Sequence, residues 1–270
     1  MTTRQQLRQR AKAVHKQGRS LVVGGLVPIP FQDDLTAVAT VFARMLADRA
    51  DPQRASNAAA LMHQLTTASA QKTPGTAKLA CAKGCGFCCH TWVAATAPEI
   101  FLLARSIRAD TARESNATIA QIIARSAHTI GLSPVERIGA KRPCPLLIEN
   151  ACSQYRTRPA VCRQATSFDL SACIDEYEGR NLGAGVSISK IHLAHARNSR
   201  MAMMAALKVT GLPQQSYELS AALCCALQNE TAEAEWLAGG DPLAGIATGP
   251  AEPPVIVAAI DAIAADLVRH

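Results

Sequence analysis

The stretch Cys81-Ala82-Lys83-Gly84-Cys85-Gly86-Phe87-Cys88-Cys89-His90 decides how this chain is read. Four cysteines fall within nine residues, and the two glycines let the backbone turn tightly enough for nearby sulfurs to converge on one point. Adjacent cysteines such as Cys88 and Cys89 rarely bond to each other because the ring is strained, and their side chains are expected to point apart. Thiolate ligation of a metal is therefore a better reading than a disulfide framework, which usually spreads its cysteines through a short secreted chain. One cysteine of the adjacent pair would serve a site here, and the other a second site or a supporting position. Zinc takes about four sulfur or imidazole ligands, and an iron–sulfur cluster about four thiolates, so three close cysteines plus a distant one satisfy either.

Outward from this run, Cys144, Cys152, Cys162 and Cys173 extend the series, whereas Cys224 and Cys225 stand apart and the first 80 residues hold no cysteine. The eight middle cysteines could furnish two four-ligand sites, or one site with spare thiols. Cys224 and Cys225 lie in an Ala/Leu helix beside Leu223 and Leu227 and read as buried packing. His90 adjoins Cys89 and is a further possible ligand, while His192 and His195, three apart on a predicted helix, read as a surface pair.

The 270 residues are 49% hydrophobic and 18% charged, which excludes a disordered chain. No uninterrupted apolar run approaches the roughly 20 residues that span a bilayer. An aromatic content of 4% argues against a reader of single-stranded nucleic acid, which needs stacking platforms. The net charge of +7 is concentrated in Arg4, Arg8, Arg10, Lys12, Lys16 and Arg19, ahead of the first acid, Asp33. This arm reads as a solvated basic helix, with contact to an acidic protein partner or nucleic acid as the sharper alternative. Leu21 to Phe31 is broken by two glycines and two prolines, so it reads as a loop or entry strand, not an export signal. A reducing cytoplasm, where thiols stay available for metal, fits.

Helical spacing runs through Leu35, Val38, Phe42 and Leu46 behind Asp34, through about Asn57 to Ala70, and through Ile100, Leu103 and Ile107 behind Thr96, Pro98 and Glu99. Ile119, Ile122, Ile123 and Ile130 suggest a further stripe, interrupted by Pro134 before a short turn to Gly139. Residues 140–170 are proline-rich and poor in large apolar side chains, with a small hairpin expected around Glu149-Asn150-Ala151. Such a segment needs another source of order, and metal binding is one. Ile188 to Leu207 and Ser216 to Gln228 read as helices, 239–254 as a glycine- and proline-rich linker, and Ile256, Ile260, Ile263 and Leu267 as a last amphipathic helix. The expected fold is mainly α, a helical domain with an irregular cysteine-rich metal-binding insertion and room for one small β-hairpin. The expected division is a basic N-terminal arm and loop (1–32), N-terminal helices (33–78), a cysteine-cluster region (79–178), C-terminal helices (179–238), a linker (239–254) and a terminal helix (255–270).

Four places together resemble the YkgJ-type cysteine cluster proteins, described as zinc- or iron-chelating and often as iron–sulfur proteins. They are Cys81-x3-Cys85-x2-Cys88-Cys89-His90, Arg142-Pro143-Cys144-Pro145-Leu146-Leu147, Cys152 through Arg158-Pro159-Ala160-Val161-Cys162-Arg163, and Ser167-Phe168-Asp169-x3-Cys173. The resemblance covers about a third of the chain. It implies that Cys81, Cys85, Cys88, Cys89, Cys144, Cys152, Cys162 and Cys173 are the metal ligands, and it favours an iron–sulfur cluster over zinc. Arg158 and Arg163 belong to the same pattern, either neutralising thiolate charge or bonding loop carbonyls. Some flagellin lysine methylases resemble the family in their cysteine cluster, so a metalloenzyme is the second reading, although no S-adenosylmethionine site is recognisable. A metal-stabilised interaction module is the third. Gly183-Ala184-Gly185 lacks the third glycine and preceding strand of a nucleotide loop.

Overall fold

A computed structural model describes residues 35–72, 79–82, 84–110, 115–180, 186 and 188–269. The basic arm, the Leu21–Phe31 segment, most of the breaker-rich stretch 72–77 and Gly183–Gly185 lie outside the described residues. The helices are α1 (Leu35–Ala47), α2 (Arg54–Lys72), α3 (Ala97–Asp110), α4 (Ser115–Ser126), α5 (Pro134–Gly139), α6 (Ala160–Gln164), α7 (Leu170–Glu178), α8 (Lys190–Val209), α9 (Leu219–Gln228), α10 (Ala232–Leu237) and α11 (Pro254–Arg269). Two short antiparallel pairs complete them: β1 (Ala94–Thr96) with β4 (Ser216–Glu218), and β2 (Leu147–Ile148) with β3 (Ala151–Cys152).

α8 is the central post. Its buried face runs through His195, Ala196 and Ser199 and then from Met201 to Leu207, and α1, α2, α6 and α11 all pack on it. Ala202, Ala205 and Ala206 are fully buried, so helix backbones approach closely where bulkier side chains would hold them apart. α3 packs between α2 and α9, with Ile100, Leu103 and Ile107 buried as their spacing predicts. The mainly helical expectation holds, and the helices around the cysteine region form a continuous apolar core.

The small hairpin is present. Leu147 faces Cys152 and Ile148 faces Ala151, and the turn between them is Glu149-Asn150, both at positive φ (49° and 60°). Two successive left-handed residues make the tight turn whose twist suits a hairpin, so Ala151 belongs to the second strand.

Three local expectations are corrected. Pro134 opens a helix, because Ser133 caps α5 with a reciprocal bond to Glu136. The Ile119–Ile130 stripe stops at Ser126, and Ile130 is exposed. Ser216–Glu218 is a strand before α9, since Ala95 pairs with Tyr217 and Thr96 with Ser216. The 239–254 stretch extends this pairing: Glu218 N–H donates to Ala247 O at 2.8 Å, Gly249 N–H donates to Ser216 O at 2.7 Å, and Leu243 is fully buried. A Cβ on Gly249 would lie 2.7 Å from Ser216 Oγ and 2.8 Å from Ala94 Cβ, so only glycine passes there.

Candidate metal centre

The loop entering the cluster is shaped by its glycines. Gly84 sits at φ +94°, where L side chains are strained. A Cβ on Gly86 would lie 3.0 Å from Leu147 Cδ1, so this glycine lets the loop lie against the hairpin. One turn of 3-10 helix, Phe87–His90, then carries Cys88 and Cys89, and Cys144 N–H donates to Cys89 O at 2.7 Å. Ala80 N–H donates to Ser167 O at 2.9 Å, which ties the start of the loop to the segment before α7.

The eight cysteines lie in one region and divide by their surroundings, with Cys88 near members of both sets. Cys81, Cys85, Cys88 and Cys173 line one cavity of about 210 Å³, with Phe87, Ile138, Tyr177 and Ile188 among its walls. Ser167 N–H points at Cys81 Sγ, 3.2 Å away, and the Ser167 hydroxyl, which donates to Asp169 O at 3.1 Å, stands beside Cys173. The second group is Cys89, Cys144, Cys152 and Cys162. The Cys144 amide is bonded to Cys89, Cys152 sits in the hairpin that follows Cys144, and Cys162 is on α6. Cys144 and Cys152 pack against the helical core. The groups meet at the Cys88–Cys89 peptide bond, where each thiol shifts the other.

All ten cysteines are free. The hydrogen bond from Cys89, aided by the charge of Arg158, brings Cys88 down to about 6, and the same bond holds Cys89 far above the thiol range. Burial raises Cys144 to about 12, and burial raises Cys162, Cys152, Cys85 and Cys173 as well. Such thiols carry protons at neutral pH until an ion displaces them. Among the described residues, no three His, Cys, Asp or Glu side chains stand at metal-holding distances as they lie. Cys224 is buried on α9 and Cys225 is half-buried, as packing predicts.

The arginines divide the two roles proposed for them. Arg163 bonds protein oxygens: Nε donates to Arg158 O at 3.0 Å, Nη1 donates to Thr67 Oγ1 at 2.9 Å, and Nη2 donates to Arg156 O. Arg158 stacks on the Tyr155 ring, 4.0 Å from its centroid, and its charge acts on Cys88, Cys152 and Cys162. Arg137, which sequence reasoning missed, is 2% exposed, donates through Nε to Arg142 O at 3.0 Å, lies 3.9 Å from Glu218 and acts on Cys144. The cations thus gather on the core-side thiols and on Cys88, which adjoins them.

Glu99 and His63 were missed as a buried pair. Glu99 Oε1 accepts Ala160 N–H at 2.7 Å and His63 Nε2–H at 3.1 Å, while Oε2 accepts the Thr96 N–H at 3.0 Å and the Thr96 hydroxyl at 2.9 Å. Burial alone would raise this carboxyl, but the His63 bond and the two backbone donors outweigh it and bring Glu99 down to about 2. His63 is lowered by burial. A neutral imidazole with Nε2–H on the carboxylate fits, because buried Nδ1 has no partner to which a second proton could be donated. Ala160 opens α6, two residues before Cys162, so Glu99 fixes the helix that carries that thiol. Thr96-x-x-Glu99 has capping-box spacing, a local signal, but the reach to Ala160 spans 61 residues and leaves none.

His90 lines the cavity. Its Nδ1–H faces Gly86 O at 3.2 Å, which leaves Nε2 as the available donor atom, and its ring leans on Tyr177, 4.8 Å between centroids. Tyr177 also contacts Phe87 and lies under Lys141 Nζ, 4.5 Å from its ring centroid. The expected surface pair of histidines is corrected: His195 is buried in α8, and His192 is half-buried with Nδ1 2.8 Å from Ser189 Oγ. No helix among the described residues is long and apolar enough to cross a membrane.

Residues 80–181 match the CxxCxxCC family, described as a "Putative zinc- or iron-chelating domain". The matched segment contains all eight clustered cysteines, and it supports the resemblance to the cysteine cluster proteins. No curated protein and no solved structure was found to match the chain.

Proposed function

We propose that this protein chelates metal through two four-thiolate centres, a cavity-side centre of Cys81, Cys85, Cys88 and Cys173 and a core-side centre of Cys89, Cys144, Cys152 and Cys162, within the region 79–178. One observation carries the reading: Cys81, Cys85, Cys88 and Cys173 line one cavity, and the remaining four cysteines, with Cys144 bonded to Cys89, make a second set of the size that zinc or an iron–sulfur cluster requires. The fit is chemical as well as numerical. All the donors are soft sulfur, and a dianionic four-thiolate centre on the core side would sit beside Arg158 and Arg137.

An iron–sulfur cluster is favoured over zinc, as the resemblance to the cysteine cluster proteins implies. A bound cluster would supply electron transfer, and zinc would supply structural cross-linking. Chelation by free thiols also fits a cytoplasmic location. Anaerobic purification followed by absorbance spectroscopy and metal and sulfide analysis tests the proposal. Iron with inorganic sulfide and a broad visible band selects clusters, stoichiometric zinc selects the ion, and a colourless protein without either refutes the proposal.

A further inference from the structure

We infer that the two centres are unequal: the cavity-side centre exchanges its metal with incoming donor molecules, and the core-side centre is a closed structural cross-link. This inference rests on the two-centre reading above.

Seven of the eight cysteines are half-buried, and the two groups differ in what surrounds them. On the cavity side, Cys88 is exposed, and the rim residues Ile138 and Ile188 are 57% and 45% exposed. The cavity is open at the surface among the described residues, and α7, which brings Cys173, buries none of its side chains. On the core side, Cys144 and Cys152 pack against the apolar core, and the neighbours Leu146 and Ala160 are within it. α6 packs on the central post α8. Its first amide is held by Glu99, and Arg163 ties it to Thr67 on α2.

Metal leaves a thiolate centre by substitution. An incoming donor would take the place of one cysteine thiolate on a bound ion, and the thiolate released would take a proton from solvent. No electron moves. Such a step needs space for the donor beside the ion and freedom for the thiolate to swing away. The cavity-side group offers more of both, since it lines the open cavity and includes the exposed Cys88, whereas the core-side thiols sit on elements packed against the core. Apolar walls of Phe87, Tyr177 and Ile188 fit a compact donor with an organic body, namely a small thiol or a heteroaromatic nitrogen chelator.

The test uses the full chain loaded with zinc and an excess of 4-(2-pyridylazo)resorcinol, whose absorbance reports released ion. The expected result is two phases of one ion each, about tenfold or more apart in rate. Cys173→Ser should abolish the fast phase and Cys162→Ser the slow one. Ile188→Trp, which narrows the mouth without touching a thiol, should slow the fast phase and leave the slow phase unchanged, and it keeps the test valid if a cysteine variant fails to fold. Helicity and melting temperature should be unchanged when the fast phase ends. A single phase for both ions, loss of the fast phase in Cys162→Ser, or unfolding that accompanies the fast phase would overturn the inference. Fewer than two ions per chain before the chelator is added would instead overturn the two-centre reading.

Discussion

Replacing Glu99 by Gln tests whether a buried carboxylate holds the core-side centre in register. The carboxylate accepts four donors, two on each oxygen. A Gln oxygen can keep the two Thr96 donors, but its NH2 then faces Ala160 N–H, donor against donor. The neutral His63 can change tautomer and accept, so one bond turns repulsive and the charge assistance is lost. An unsatisfied buried donor plus a lost charge-assisted bond costs about 3 kcal/mol. A second route agrees: lowering a carboxyl from its ordinary 4.5 to about 2 corresponds to about 3 kcal/mol at neutral pH. For a chain of this size, that is a fall in Tm of about 6–12 °C. The sign follows from linkage. A depressed carboxyl contributes stability that is fully present above pH 4.5 and is lost as pH falls through about 2. The gap between wild type and Glu99→Gln, followed by circular dichroism melts, should therefore be widest near neutrality and close in acid. Equal melting temperatures at pH 7, or a gap that does not change in acid, would refute the reasoning.

Three further outcomes follow from the same geometry. Folded His63 resists protonation because it is buried, so wild-type stability should decline as pH falls below 6.5. His63→Gln, which keeps a donor for Glu99 but does not titrate, should flatten that decline in denaturant midpoints measured from pH 7 downward. Gly86→Ala brings a methyl 3.0 Å from Leu147 Cδ1 and 3.4 Å from Asn150 O. It should cost about 1–3 kcal/mol in urea unfolding and lower the metal content of the purified protein. Arg137→Met leaves Glu218 buried without its cation and should cost about 3–5 kcal/mol, read from urea midpoints, with weaker metal retention beside Cys144.

The helices were legible because their apolar spacing is local. Leu35 to Leu46, Ile100 to Ile107 and Ile256 to Leu267 carry a 3.6-residue rhythm that survives without tertiary context. The cysteine density likewise announced thiolate chemistry. β1 and β4 escaped notice because each is three residues long and is a strand only by virtue of the other, with some 120 residues between them. The Ser216–Gln228 segment has helical composition, and pairing with Ala95 overrides it at the first three residues. The grouping of thiols was only half legible. The sequence offered two sites or one with spares, and the allocation depends on Ser167 standing between Cys81 and Cys173 and on the Cys144–Cys89 amide bond, both contacts across long stretches of chain. Glu99 looked like an ordinary first-turn acid, and its contact with α6 came entirely from packing. Arg137 lay in a segment read as a turn, so its burial could not be seen.

The Cys144 amide held by the Cys89 carbonyl has a consequence for the unfolded chain. An ion shared by Cys89, Cys144, Cys152 and Cys162 would close a loop of about 55 residues holding α3, α4 and α5, and short loops beyond it. Closing a loop of that length once, as a disulfide would, removes about 4 kcal/mol of chain entropy from the denatured ensemble. The core-side metal would then act on a region several times larger than its own ligand shell, because the helices enclosed between its ligands lose freedom when unfolded without making any new contact when folded.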